Sequence, residues 1–293
     1  MSVRAAVEQS ITETTGHAFS IKNQHSIGGG SINTACRIDG AGQSYFVKLN
    51  QAYQLDMFVA EADGLRELAN ANAIRVPSPV CYGAAEGKSW LVTEFIAFGG
   101  GTGDSVQRLG RQLATMHRHT SEQFGWIRDN TIGSTPQQNA RTDNWIDFYR
   151  ERRLRFQFEL AARNGFTGIL QTKGERLMAS LNVFFTSYAP EPSLLHGDLW
   201  GGNRAFDATG QPVIFDPAVY YGDREADIAM TELFGGFGAD FYAAYQQAWP
   251  LDAGYSVRKT LYNLYHILNH ANLFGGGYAS QAEAMTDRLL AEV

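Results

Sequence analysis

Asp198, Asn203 and Asp216 stand in an order that few folds can use. The first belongs to His196-Gly197-Asp198, the second follows it by five residues, and the third closes the apolar run Val213-Ile214-Phe215. Together they form a set of hard oxygen donors of the kind that divalent cations prefer. Phosphoryl transfer asks for that set. One carboxylate orients an attacking hydroxyl and takes its proton, while an amide oxygen and a second carboxylate hold the Mg²⁺ ions that neutralise charge on the phosphates. Asp198 suits the first role, and Asn203 with Asp216 the second. The three must then converge on a loop and an adjoining hairpin, facing a nucleotide-binding part of the chain supplied from elsewhere. Asp, Asn and Gly are also common turn formers, so the tripeptide alone equally suits a capped turn.

The upstream sequence offers the nucleotide-binding part. Ser26-Ile27-Gly28-Gly29-Gly30-Ser31-Ile32-Asn33 provides a turn whose amides can approach phosphates, with Gly28, Gly29, Gly30 and Ser31 as candidate contacts. Flanking alternation predicts two antiparallel strands, although a glycine run also suits an ordinary turn. Lys48 ends the strand-like run Ser44-Tyr45-Phe46-Val47, where it either reaches the nucleotide phosphates or sits solvated on an edge strand. Glu61 lies thirteen residues on, in a helix predicted from the apolar stripe Phe58, Ala62, Leu65 and Leu68, and is the expected partner of Lys48. Glu67 is a rival near the far end of that helix. Trp90 to Ile96 reads as a buried strand running into Gly99–Gly101, which makes the Glu94 carbonyl and Ile96 amide candidate adenine contacts. A core strand followed by a turn makes the same demands.

Beyond residue 95 the pattern turns helical. Leu109, Leu113 and Met116 form one stripe, Trp145, Phe148 and Tyr149 another, and Leu177, Leu181 and Phe184 a third, before Pro190 and Pro192 precede the catalytic strand. The expectation is an α+β, bilobed chain: a small β-rich nucleotide lobe over 1–95 and a larger, mainly helical catalytic and substrate lobe over 96–293. Asn130 to Asp143 reads as a polar loop bordering the substrate cleft. Arg150, Arg152, Arg153 and Arg155 spread around a helix and read as a solvated face. His266 and His270 are four apart on a helix predicted over 257–273, but Ile267 stands where a zinc-protease motif needs glutamate, so structural histidines are expected.

Composition narrows the class. With 44% hydrophobic and 18% charged residues the chain is expected to fold, and no window is apolar enough for a membrane span. A net charge of −6 disfavours a general nucleic-acid binder. The two cysteines, Cys36 and Cys81, argue against a disulfide framework, and the N-terminus lacks a long apolar region, so a cytoplasmic location is expected.

Gly197 stands where protein kinases place Arg, and Asp216-Pro217-Ala218 where they place Asp-Phe-Gly, which points away from protein kinases. The blocks LLHGDLWGGN, PVIFDPAVYYGDREADIAMTELFGGF and NLYHILNHANLFGGGY, with LGRQLATMHRHTSEQFGW and NTIGSTPQQN before them, resemble the bacterial branch of the fructosamine kinase (ketosamine-3-kinase) family. That family lies within the aminoglycoside-phosphotransferase-like kinases, and the resemblance covers nearly the whole chain. It implies a protein-kinase-like fold and an ATP- and Mg²⁺-dependent enzyme that phosphorylates a sugar hydroxyl of a glycated small amine or glycated protein, as deglycation repair. It carries the role of base onto Asp198, metal binding onto Asn203 and Asp216, and phosphate positioning onto Lys48 with Glu61. Trp200 becomes an aromatic wall for the sugar, and Asn269 or His270 a sugar contact. Tyr220 and Tyr221 are candidate acceptor neighbours, and Asp227 an acid supporting the catalytic-loop backbone. Ser31 stands in a glycine-rich loop without cysteine, against thiol control there. A monomer or weak homodimer is expected. Rival readings are an aminoglycoside or amino-alcohol phosphotransferase and a non-catalytic nucleotide-binding module.

Overall fold

Alternating burial builds the first lobe. The structure is a computed structural model that describes residues 1–28 and 32–293, so Gly29, Gly30 and Ser31 lie outside the described residues. Strands β1 (Asn23–Ile27), β2 (Thr34–Gly40), β3 (Gln43–Gln51), β4 (Pro79–Ala85) and β5 (Lys88–Glu94) form an antiparallel sheet in the order β1-β2-β3-β5-β4. Cys36, Ile38, Val47, Trp90 and Val92 share a core with Val7 and Ile11 of helix α1 (Val3–Thr15). Leu91, of opposite parity on its strand, packs instead with Phe58 and Ala62 of α2 (Leu55–Asn70).

The main chain passes from sheet to helices after Glu94, yet the packing does not divide there. Leu65 and Leu68 of α2, with Ile74 and Val76 after it, belong to the core of the helical lobe. Helix α2 is therefore shared between the lobes.

That second lobe begins with α3 (Gly103–His117), a small hairpin of β6 (Asn130–Ile132) and β7 (Thr135–Gln137), and α4 (Trp145–Phe148), which runs through a π-helical turn, Tyr149–Arg155, into α5 (Phe156–Arg163). After α6 (Ile169–Ala179) come four short strands, β8 (Ser193–Leu195), β9 (Arg204–Phe206), β10 (Pro212–Ile214) and β11 (Tyr220–Gly222). β9 pairs with β10 and β8 with β11. Helices α7 (Glu225–Leu233), α8 (Ala239–Ala248), α9 (Tyr255–Phe274) and α10 (Tyr278–Leu290) close the lobe.

Two expectations from residue pattern are corrected here. The basic cluster is not a uniformly solvated face: Arg155 pairs with Glu151 and Arg150 with Asp147 near the surface, but Arg153 is 0% exposed. Its guanidinium lies 4.1 Å from the Tyr220 ring centroid and 4.6 Å from that of Phe148, and it donates to the Gln138 carbonyl (2.5 Å) and Asn139 Oδ1 (2.7 Å). Seven residues in π-helical winding break the 3.6-residue period on which a helical-wheel reading depends. The stretch from Asn130, expected as a polar loop bordering the substrate cleft, instead begins with the β6–β7 hairpin, and Asn130, Gln137 and Asn139 are buried and hydrogen-bonded to one another.

Removing Arg153 leaves buried acceptors unpaired and a cavity between two rings, whereas Arg155 contributes only an exposed pair. Arg153→Ala is expected to lower the unfolding free energy by about 3 kcal/mol or more, and Arg155→Ala by less than about 0.5 kcal/mol. Urea unfolding of both variants checks the contrast.

Candidate active site

Lys48 sits on β3, which has neighbours on both sides of the sheet, and it is 7% exposed. An edge-strand position is thereby ruled out. A buried ammonium needs carboxylates, and it has two: Glu61 Oε1 of α2 at 2.6 Å and Asp216 Oδ1 at 2.7 Å. Burial opposes the charge, but Asp216 and Glu61 outweigh it and raise the Lys48 pKa above its ordinary value. Glu67 is engaged elsewhere, accepting from the Tyr221 hydroxyl at 2.6 Å.

The hairpin of β9 and β10 brings the other donors to the same place. Arg204 pairs with Ile214 across it, and the Phe215 amide donates to the Asn203 carbonyl at 3.1 Å, so Asn203 and Asp216 flank the open end. Asn203 Nδ2 donates to the Asp198 carbonyl (2.8 Å) and to Asp198 Oδ2 (3.1 Å). With its amide nitrogen so engaged, Asn203 Oδ1 has no protein donor among the described residues. An amide oxygen and the half-exposed Asp216 carboxylate thus form a hard-oxygen pair that fits Mg²⁺, a cation that takes few protein ligands and completes its shell with phosphate and water. Asp216 has φ +57°, a left-handed backbone uncommon for a residue with a Cβ and of the kind that persists where surrounding structure enforces it. Burial and the Asp216 charge push the Asp198 carboxyl up to about 7, against the Asn203 hydrogen bond.

The loop before Asp198 is held from behind. Asp227 on α7 accepts from the His196 amide (2.7 Å), the Gly197 amide (2.8 Å) and His117 Nε2 (3.2 Å), while His117 Nδ1 meets the Tyr245 hydroxyl at 2.8 Å. His196 Nε2 donates to the Phe215 carbonyl at 3.0 Å, and its Nδ1 accepts from the Asp198 amide at 3.2 Å, which sets the tautomer. Gly197 has φ +82°, and a Cβ there would stand 2.0 Å from the Ala218 carbonyl oxygen, so only glycine fits.

At the connection between lobes, Glu94 lies at the end of β5, and the Ile96 amide has no main-chain acceptor among the described residues. The Glu94 carboxylate is bound by Arg75 (2.5 Å), which also reaches Asp207 (2.7 Å) just beyond β9. Phe98 and Phe215 stack at 5.4 Å beside this connection. Among the described residues, nothing lies within 4 Å of where a Cβ on Gly28 would stand.

Trp200 is 39% exposed and is the first ring of a wall. Phe234 lies 6.2 Å from it, His270 5.0 Å from Phe234, and Phe274 and Tyr278 at 5.6 and 5.2 Å from His270. Two substrate candidates fall outside that wall. Tyr220 is 3% exposed, stacked on Phe148 beneath Arg153, because β11 turns it into the core. Asn269 is 3% exposed and is tied to Gln157 Nε2 (3.2 Å) and the Ile132 carbonyl (3.3 Å); one residue is about 100° around a helix, so the winding that brings His270 to the wall turns its neighbour inward. Sequence reasoning missed Arg75, Asp207 and Phe234. The Phe234-Gly235-Gly236-Phe237-Gly238 run was the available signal for the last.

Residues 3–292 match the family model described as fructosamine kinase. The chain belongs to the fructosamine kinase family. It is 51% identical over 290 residues to a Synechocystis protein named a probable ketoamine kinase, covering 97% of this chain and 96% of that one. It is 46% identical over 280 residues to the Arabidopsis thaliana chloroplastic protein-ribulosamine 3-kinase, covering 94% and 85%. The crystal structure of a Haemophilus somnus protein named a putative fructosamine-3-kinase superposes with TM-score 0.90 at 30% identity over 97% of this chain and 96% of that one. The fold alone extends to aminoglycoside phosphotransferase APH(4)-Ia, TM-score 0.61 at 16% identity over 98% of each chain. The protein-kinase-like, bilobed α+β fold expected from sequence is the one observed.

The Arg75 link generates a test in acid. Thr209 and Gln211 donors, with Arg75, hold Asp207 down to about 2. A depressed carboxyl stabilises fully above its unfolded value of about 3.9 and loses that contribution as pH falls through its folded value. The Tm difference between the unaltered chain and Asp207→Asn is therefore expected to be constant above about pH 5 and to narrow toward pH 2. A difference that widens on acidification contradicts the link.

Proposed function

We propose that this member of the family is an ATP- and Mg²⁺-dependent ketosamine 3-kinase that phosphorylates a sugar hydroxyl of glycated amines, fructosamines or ribulosamines, and so initiates their deglycation. One observation carries the reading: Lys48, Glu61 and Asp216 meet in an ion triad, and Asn203 links that triad to Asp198. A scaffold that only binds nucleotide has no chemical need for a poised base beside this set.

Asp198 accepts a hydrogen bond from the acceptor hydroxyl and takes its proton as the oxygen bonds to the γ-phosphorus of ATP and the bond to ADP breaks. Lys48, kept charged by its carboxylates, steadies the nucleotide phosphates, and Glu61 steadies Lys48. Asn203 and Asp216 would hold Mg²⁺, which when bound would supply charge neutralisation on the phosphoryl oxygens. The Glu94 carbonyl and Ile96 amide receive the adenine edge, with Gly28 beside the phosphates. Positioning of two reactants accounts for most of the acceleration.

The acceptor is read from the wall beside Asp198. Trp200, Phe234, His270, Phe274 and Tyr278 carry no carboxylate, and burial pulls His270 below its ordinary pKa, toward neutral imidazole. Ring faces suit a sugar's C–H surface and a single ammonium group. An aminoglycoside, with several ammonium groups, calls for acidic side chains in that place.

Asp198→Asn is expected to cut kcat by about 10²-fold or more while leaving ATP binding nearly intact. In the unaltered enzyme, kcat/KM for ATP is expected to fall about tenfold per pH unit below about 7, because the raised Asp198 must be ionised to act. Coupled ADP-release assays over pH 5.5–9 check both, and turnover by the variant at the unaltered rate refutes the assignment. On the acceptor side, Trp200→Ala is expected to raise KM for a ribulosamine or fructosamine by about tenfold, with KM for ATP unchanged. The same assay is expected to give little or no turnover of kanamycin.

A further inference from the structure

Helix α2 carries Glu61 but is gripped by the helical lobe. Arg128, just ahead of β6, donates from Nη1 to Asp63 Oδ2 at 2.9 Å and from Nη2 to Asp56, both on α2. One turn along, Tyr221 of β11 binds Glu67. Between them, Gly64 lets the helix come down directly on the segment after the metal-binding carboxylate: a Cβ there would lie 3.1 Å from Val219 Cγ2 and 3.7 Å from Pro217 Cγ.

The same segment is held from its other side by the stretch that holds Arg128. Asn130 Nδ2 donates to the Val219 carbonyl (2.8 Å) and Gln137 Nε2 to the Ala218 carbonyl (3.0 Å). Gln137 Nε2 and Asn139 Nδ2 both donate to Asn130 Oδ1, at 2.8 and 2.9 Å, and Asn139 Nδ2 donates again to the Arg128 carbonyl at 3.1 Å. Arg153 and Tyr265 complete the cluster through Asn139 Oδ1 (2.7 Å) and Gln137 Oε1 (2.7 Å). These amides are buried and mutually satisfied, an arrangement that fixes one geometry. Ala218 in turn donates its amide to the His196 carbonyl at 2.8 Å, beside the catalytic loop.

We propose that Arg128 is a positioning residue, and that the 128–139 stretch is a clamp that holds α2 and the 217–219 segment in one register. The Lys48–Glu61–Asp216 triad is then assembled by the fold itself, with no need of a modification or partner to swing α2 into place. Arg128 touches none of the three. Its guanidinium acts on Glu61 through the helix, while its main-chain carbonyl anchors the Asn139–Asn130–Val219 chain of hydrogen bonds that reaches the segment after Asp216. The role rests on the kinase reading above, and the test separates the two.

The experiment compares Arg128→Ala, Asp63→Ala and the double variant by turnover on a ribulosamine, by calorimetric Kd for Mg·ADP, and by Tm. Arg128→Ala is expected to lower kcat about tenfold and weaken Mg·ADP about tenfold with acceptor KM unchanged, while Tm moves by less than about 2 °C, since the ion pair is partly exposed. Asp63→Ala is expected to give a smaller loss in the same direction, and the double variant to be no worse than Arg128→Ala. Unaltered kcat and Kd in both single variants, additive losses in the double variant, or a kcat loss matched only by a large fall in Tm overturns the clamp. If the unaltered chain binds Mg·ADP but turns over no ketosamine, the proposed function fails, and the clamp still stands or falls on the Mg·ADP affinity of the variants.

Discussion

The buried ammonium of Lys48 is the constraint from which the rest follows. On an internal strand and 7% exposed, it cannot stay charged without partners, because an uncompensated ion there costs several kcal/mol. Its two carboxylates come from α2 and from the turn after β10, so a sheet, a helix and a hairpin from different parts of the chain must arrive together. Asp216 reaches the ammonium from a left-handed backbone, and the Pro217–Val219 segment behind it is packed against Gly64 and bound by buried amides. Charge pairing at one atom thereby explains an unusual φ, a glycine in the middle of a helix and a polar cluster in the core.

The catalytic loop obeys a similar economy of contacts. Asp227 lies on α7, outside the cleft, yet its two oxygens take the amides of His196 and Gly197, and His117 and Tyr245 brace it in turn. Burial works against this carboxylate, but its donors hold it ionised, with a pKa below the usual range. Burial also pulls His117 and His196 down, so both act as neutral hydrogen-bonding groups. A loop fixed by charge-assisted bonds from behind holds Asp198 in one place, as its proposed role as base requires.

How much of this was legible depended on the range of the signal. Lys48 and Glu61 were readable because strand alternation and a helical stripe each set a side chain's face locally, and Asp198, Asn203 and Asp216 because their spacing lies within one loop and one hairpin. Their convergence follows from the hairpin register. Arg153 was misread because its burial is decided by a π-helical turn and by rings from β11 and α9, which no helical wheel contains. Asn130, Gln137 and Asn139 read as part of a polar loop, since polar composition alone does not reveal that the amides satisfy each other. Arg75 and Asp207 meet across 132 positions, and nothing local marks either one.

The division of α2 between two cores bears on how such an enzyme is controlled. Where the helix carrying the lysine's glutamate belongs only to a nucleotide lobe, it can swing, and activity can be switched by moving it. Here Leu65 and Leu68 are anchored in the helical lobe, so displacing the helix would expose apolar surface at about 25 cal/mol per Å² as well as breaking the Arg128 and Tyr221 bonds. Such a cost suits the proposed function, in which no signal has to move the helix. On the proposed function, discrimination falls to the ring-lined wall rather than to a switch. A ring-lined wall of that kind suits a sugar face and a single positive charge better than a polycation.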